Sequence, residues 1–180
     1  MKMADGGFRP AYNVQFATAT GSQVIVGVDV ETTGSDAGQM APMAAQVKGR
    51  YEVAPGEIVV DGGFAQHEQI EAVSAAAMGC TVYAPVPKPK DPRVDRHAAK
   101  PGDSAAVAAW RRRMGTDEAK AIYKERAATA ECVNAQARGR GLIRLLVRGA
   151  AKVKAIALWH ALAHNLLRAA RLRAVVAGTT

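Results

Sequence analysis

The chain has 180 residues, enough to bury one core and about the size of a single domain. An apolar content of 49% against 22% charged residues excludes a disordered or low-complexity polypeptide. The net charge of +8 is unevenly spread: residues 1–100 carry nine Lys or Arg against eleven Asp or Glu, whereas residues 101–180 carry fifteen against five, and no acidic residue follows Glu131. Such segregation is expected of a surface that meets a polyanion, most often nucleic acid, although a solvated basic helix face would give the same totals. Cys80 and Cys132 form no CxxC pair and have no ligand cluster near them, which argues against a disulfide scaffold or a zinc site and for a reducing cytoplasm. The longest uncharged stretch near the C-terminus, Ala155 to Leu167, has 13 residues and is too short to span a bilayer, and "MKMADGGFRP" lacks the apolar core of a signal peptide. A soluble cytoplasmic protein with no membrane partner is expected.

In chain order, "YNVQFATAT" (12–20) alternates as a strand, Gly21 and Ser22 make a turn, and "QVIVGVDVETT" places Val24, Val26, Val28 and Val30 on one face, so the pair reads as a β-hairpin. "GSDAGQMAPMAAQVKGR" reads as a helix capped by Ser35 or Asp36, with Pro42 an awkward inclusion. "EIVVDGGF" (57–64) is a short, continuously apolar strand of the kind covered on both faces. A helix over "AQHEQIEAVSAAAMG" follows, ended by Gly79, and then a short strand, "CTVYAPV". Five of the eight prolines fall between Pro85 and Pro101, a composition that reads as an extended linker over 85–102. Helix resumes at Asp103 or Ser104, breaks at Gly115, restarts with Thr116 or Asp117 as cap and runs to about Arg138. "GLIRLLVRG" fits either a strand or a helical turn. A long helix closes the chain from about Ala150 to Arg173, with an apolar stripe through Val153, Ile156, Leu162 and Leu166. The domain plan is a first part at 1–84, the linker at 85–102 and a helical part at 103–180, in a mixed α/β layer fold.

The chemistry concentrates in two places. Asp61 ends an apolar strand and precedes Gly62 and Gly63; "DGG" alone favours a turn or a helix cap. On the helix through "IYKERAATAECVNAQARGRG", Tyr123, Glu131, Asn134 and Arg138 fall within an arc of roughly 80° at α-helical spacing, with Arg126 about 60° to the other side of Tyr123. A carboxylate flanked by arginines is ordinarily a surface ion-pair network. Two carboxylates on separate elements, however, suit magnesium, which takes hard oxygen ligands and retains waters and substrate phosphates. Flanking arginines suit the phosphates of a nucleic acid.

The blocks "DGGFRPAYNVQFAT", "VIVGVDVETTGSDAGQMAPM", "VVDGGF", "YKERAATAECVNAQARGRGL" and "VRGAAKVKAIALWHALAHNLLR", in that order over nearly the whole chain, resemble the DDE transposases of bacterial insertion sequences. Members of that family carry Tyr-x2-Arg, then a Glu, then six residues and a Lys or Arg. Tyr123 and Arg126 match, Glu131 follows after four residues where three are commoner, and Arg138 stands at the basic position. The resemblance implies a ribonuclease-H-like mixed sheet with flanking helices and long C-terminal helices, with Asp61 and Glu131 as catalytic metal ligands of a two-magnesium site. It implies DNA contacts by Tyr123, Arg126 and Arg138, extended by Arg140, Arg144 and Arg148 in the basic third. The function implied is DNA transposition, by metal-dependent strand cleavage and strand transfer at insertion-sequence ends, in a homo-oligomer with intact transposase. The family's first catalytic Asp lies on a strand central to the sheet that would precede this hairpin. The chain is therefore expected to be a C-terminal portion, lacking that strand and inactive alone. Asp5, in a Gly-rich segment, does not replace it.

Other residues read more plainly. Asp36 reads as a helix cap, and Asp29 and Glu31 as the solvent face of a strand. His160 and His164 lack the Glu of an HExxH motif and read as packing residues, Trp110 and Trp159 as core or interface anchors, and Asn165 as a buried polar contact. Two rival functions stand beside the enzyme: a non-catalytic DNA-binding remnant that interferes with intact transposase, and an unrelated α/β enzyme using Asp61 on a small molecule.

Overall fold

The structure is a computed structural model that describes residues 6, 7 and 11–178. Asp5 lies outside the described residues. The chain divides into two compact units, one formed by the chain up to Gly34 together with Ala127 onward, the other by Ser35–Arg126. Among the described residues the fold is α/β, with two small sheets and several helices.

In the first unit, β1 (Asn13–Thr18) and β2 (Ile25–Glu31) pair antiparallel, with Asn13 opposite Glu31 and Phe16 opposite Val28. The expected hairpin is present, but its inward face is not Val24–Val26–Val28–Val30. Ala17 pairs with Gly27 and Thr18 with Ile25, so Val26 is the extra residue of a bulge. A bulge shifts the two-residue period by one, and the buried set becomes Ile25, Val28 and Val30. Helices α5 (Cys132–Gly139) and α6 (Ala150–Ala177) supply Val133, Val153, Ala157 and Ala161 to the same core. Between them, "GLIRLLVRG" is neither strand nor helix but a series of turns and bends.

The stripe expected on α6 is also corrected. Val153 is buried, but Leu162 and Leu166 are exposed, and the buried line runs Val153, Ala157, Ala161, His164. The reason is polar. Asn165 accepts from Ile25 N and donates to Ile25 O, both at 2.8 Å, occupying both backbone groups where β2 begins. His164 Nε2 donates to Gln23 O at 2.8 Å and Arg168 Nε to Ser22 O at 2.9 Å. Partly buried backbone groups of the hairpin turn need these partners, so the polar side of the helix turns inward and the leucines turn out. His164 Nδ1 then accepts from Arg140 Nη1 at 3.3 Å, a guanidinium having only donors.

In the second unit, β3 (Glu57–Val59), α2 (His67–Ser74) and β4 (Thr81–Tyr83) form a parallel β-α-β unit, with Ile58 opposite Val82. Helix α1 (Met40–Tyr51) begins four residues later than Asp36. Its cap position is Gln39, with no side-chain cap, and Pro42 falls in its first turn, where the missing N–H has no partner to lose. Helix α3 (Ala105–Met114) is capped by Ser104, whose side chain accepts from Val107 N, and Gly115 ends it. Thr116 Oγ1 accepts from Ala119 N at the start of α4 (Asp117–Arg126). Trp110 is buried in the core as expected, with Nε1 donating to Ala84 O at 3.0 Å. The proline-rich stretch lies inside this unit, without helix or strand. Beneath it, Arg111 Nε meets Asp103 at 2.8 Å, both side chains almost wholly buried, while Arg111 Nη2 donates to His67 Nε2 at 3.1 Å.

Cys80 and Cys132 are free thiols; burial pushes the Cys80 thiol above its usual value, partly offset by Lys48. Among the described residues no helix is long and apolar enough to cross a membrane.

Two stability predictions follow from these contacts. Asn165→Ala leaves both Ile25 backbone groups without their side-chain partner and is expected to cost about 1–3 kcal/mol in urea denaturation. The backbone N–H of Lys100, and then the Arg111 guanidinium, hold the Asp103 carboxyl below its usual 3.8. A depressed folded-state value contributes stability above the unfolded value and loses it as pH falls through the folded one. The stability deficit of Asp103→Asn is therefore expected to be full at pH 7 and to shrink as pH falls below 3.8.

Candidate functional site

Val59 ends β3, but pairing continues one residue further, since Val60 N–H donates to Tyr83 O at 3.0 Å. Asp61 thus stands just past the carboxyl end of a parallel strand pair, the end at which open α/β sheets carry their ligand sites. The chain turns there. Asp61 Oδ1 accepts from Gly63 N–H at 2.8 Å and the Asp61 carbonyl from Phe64 N–H at 3.3 Å. The turn expected of "DGG" is real, and it orients the carboxylate.

Asp36 is brought to the same place. A Cβ at Gly63 would sit 3.1 Å from an Asp61 carboxylate oxygen and 3.6 Å from an Asp36 carboxylate oxygen, so the two acids border one small space that glycine leaves open. Asp36 is therefore not the helix cap expected from its position; its backbone carbonyl accepts from Gln39 N–H, while its side chain faces Asp61 and Gly63. Sequence reasoning missed it because Ser or Asp before a helical run reads as a cap. The available signal was its place in the "GVDVETTGSDAGQM" block. Among the described residues no group of three or more Asp, Glu, His or Cys is arranged to hold a metal. The pair does offer hard carboxylate oxygens, the donor type that magnesium and manganese take.

In the same unit, the Arg126 guanidinium lies 5.6 Å from the Tyr123 ring centre at the end of α4, a cation–π stack joining two of the expected DNA contacts.

The other expected residues stand in the first unit. The helix does not run unbroken to Arg138. Residues Ala127–Glu131 form a π-helical turn before α5, and Glu131 is its last residue, exposed. The 80° arc assumed α-helical spacing throughout and does not apply across this turn. A π turn takes up one residue more than an α turn. One residue is also the amount by which the spacing from Arg126 to Glu131 exceeds the commoner three, so the turn is a local means of absorbing the extra length. It has an anchor: Gln23 donates from Nε2 to Ala128 O at 2.8 Å, and Gln23 itself is held at φ 57°, in the left-handed region, by the hairpin turn.

On α5, Asn134 and Arg138 line a cavity of about 280 Å³ beside β1, together with Tyr12, Val14, Phe16 and Leu145. Arg138, Arg140, Arg144 and Arg148 are exposed; Arg140 also reaches Gln136 Oε1 at 3.4 Å. His160 packs against the Phe16 ring at 5.9 Å, and burial, with smaller effects from Arg140 and His164, pushes its imidazole below the usual value. Asp29 is half-buried and paired with Lys154 at 2.9 Å, so it is not simply the solvent face.

A family model for the transposase DDE domain matches residues 75–170, just over half of the chain. The chain belongs to the transposase DDE domain family. The match takes in Tyr123, Arg126, Glu131 and the basic run to Arg148; Asp36 and Asp61 precede it. No curated protein and no solved structure matches the chain. For a DDE domain, a DNA substrate and a general dependence on divalent metal come with the family.

The π turn gives a local prediction. Gln23→Ala removes one exposed hydrogen bond and relieves little strain, so global stability is expected to fall by no more than about 1 kcal/mol. Amide exchange over 127–131 is expected to quicken more than exchange in β1 and β2, read by hydrogen exchange with mass spectrometry.

Proposed function

We propose that this DDE domain acts in DNA transposition by metal-dependent strand cleavage and strand transfer, within a ribonuclease-H-like arrangement. The observation that carries the reading is the Asp61 and Asp36 carboxylates beside Gly63, past the end of β3, in a chain of this family. Asp61 and Glu131 are the carboxylates to which the reading gives catalytic, metal-binding roles, with Asp36 beside Asp61. Magnesium bound there would polarise a scissile phosphodiester and lower the pKa of an attacking water or 3′-hydroxyl.

This chain's own groups do the positioning. Asp61 is oriented by the Gly63 N–H, which fixes one of its oxygens and leaves lone pairs for a cation. Arg126, whose guanidinium lies 5.6 Å from the Tyr123 ring centre, would meet a backbone phosphate. Arg138, Arg140, Arg144 and Arg148 add a positive track for DNA, and their exposure permits contact without loss of internal ion pairs. Transposition as a homo-oligomer is part of the same proposal.

A second reading is DNA binding without catalysis, favoured by the concentration of positive charge after residue 100. Both readings require that DNA affinity fall with salt, and each phosphate-contacting Arg replaced by Ala should reduce the slope of log affinity against log salt by about 1. They part on metal and cleavage. In the catalytic reading Asp61→Ala lowers Mn2+ affinity by about tenfold or more, read by calorimetry, and removes any magnesium-dependent nicking of DNA bearing the element's ends, while DNA binding persists. DNA binding that survives Glu131→Ala, with no nicking by the unaltered chain, supports the second reading. Unchanged Mn2+ affinity in Asp61→Ala would sink the first.

A further inference from the structure

Helix α6 is inverted relative to an ordinary surface helix. Its inner line, Val153, Ala157, Ala161 and His164, carries small and polar residues, and its large apolar side chains point to solvent. Trp159 is 71% exposed, Leu162 49% and Leu166 63%, with Leu158 and Leu167 on either side. Trp159, Leu162 and Leu166 are spaced three and four apart and fall within about 60° of arc, the spacing at which one helix seats against another. From Ala155 to Ala170 the one charged side chain on the helix is Arg168, which is turned inward onto Ser22 O. The outer face is thus an uncharged apolar strip over about 24 Å of helix. A monomer does not ordinarily leave such a strip in water.

Charge identifies the occupant. Lys152 brackets the strip at one end and Arg171 and Arg173 at the other, all exposed, and no carboxylate side chain occurs after Glu131. A second copy of α6 laid on this strip in parallel would set Lys152 against Lys152 and Arg173 against Arg173. Laid antiparallel it would set Lys152 against Arg171 and Arg173. Both orientations oppose like charges at the rim of a low-dielectric contact. Phosphates of DNA match the rim but leave the leucines and Trp159 uncovered. We propose that the outer face of α6 docks an amphipathic helix of another protein, apolar at three–four spacing and carrying Asp or Glu at both ends. The partner buries Trp159, Leu162 and Leu166, and its carboxylates meet Lys152 and Arg173. This inference does not depend on the proposed metal chemistry.

The test uses the full chain and two synthetic helical peptides of about 18 residues with the same leucine stripe, one with Glu and one with Lys at its ends. The Glu peptide is expected to blue-shift the emission of exposed Trp159, Trp110 being already buried. Leu162→Ser, a surface change that leaves the fold intact, is expected to weaken that binding about tenfold. Lys152→Glu combined with Arg173→Glu is expected to transfer the preference to the Lys peptide, which a general loss of structure would not do. Four results would overturn the proposal: no binding of the Glu peptide, equal binding of both peptides, a dimer in sedimentation that Leu162→Ser abolishes, or a Trp159 shift with anionic phosphatidylglycerol vesicles that the Glu peptide does not give.

Discussion

The first unit depends on one contact, the Asn165 carboxamide across the backbone of Ile25. An amide that both donates to and accepts from one residue fixes a helix against a strand in rotation as well as in position. With Asn165 so placed, His164 and Arg168 reach Gln23 O and Ser22 O, and the hairpin turn has three side-chain donors or acceptors from one helix. The cost is that leucines which would otherwise pack inward face out. A helix–strand contact built on Ala157 and Ala161 brings the backbones close, and those hydrogen bonds need that closeness.

The same turn then acts on the helix that bears Glu131. Gln23 is kept left-handed by the turn, its carbonyl accepts from His164, and its side chain is free to reach the carbonyl of Ala128. A π turn leaves carbonyls poorly matched to i+4 donors, and an outside donor to one of them stabilises it. The chain of contacts therefore runs from Asn165 through the hairpin to the segment ending at Glu131, within one compact unit.

Much of this was legible in the sequence where local signals agree. The hairpin, the strand–helix–strand order around Asp61, the helix start at Asp103 or Ser104 and the stop at Gly115 each rest on neighbouring residues, and propensity, period and punctuation point the same way. The inward face of α6 was not legible, because a hydrophobic period cannot anticipate that the partner strand will present unpaired backbone groups to Asn165. The bulge at Val26 was hidden for a related reason: alternating valines look alike in either phase. The π turn was hidden because no residue type marks it; the spacing from Arg126 to Glu131 was its one trace. Asp36 was misread because capping is a local pattern, whereas its meeting with Asp61 is a tertiary fact.

Gly63 shows why that meeting is poised for a ligand under the proposed function. Two carboxylates that border one small space both bring oxygen lone pairs to it, the donor type that a divalent cation takes. Here the Gly63 N–H donates to one Asp61 oxygen and fixes the carboxylate, and the missing Cβ keeps the space open instead of filling it with carbon. An alanine there would press on the Asp61 carboxylate at 3.1 Å, closer than ordinary contact. The residue that makes "DGG" look like a plain turn is thus the one that leaves room between two carboxylate side chains, an arrangement that a divalent cation would satisfy under the proposed function and that a turn alone does not require.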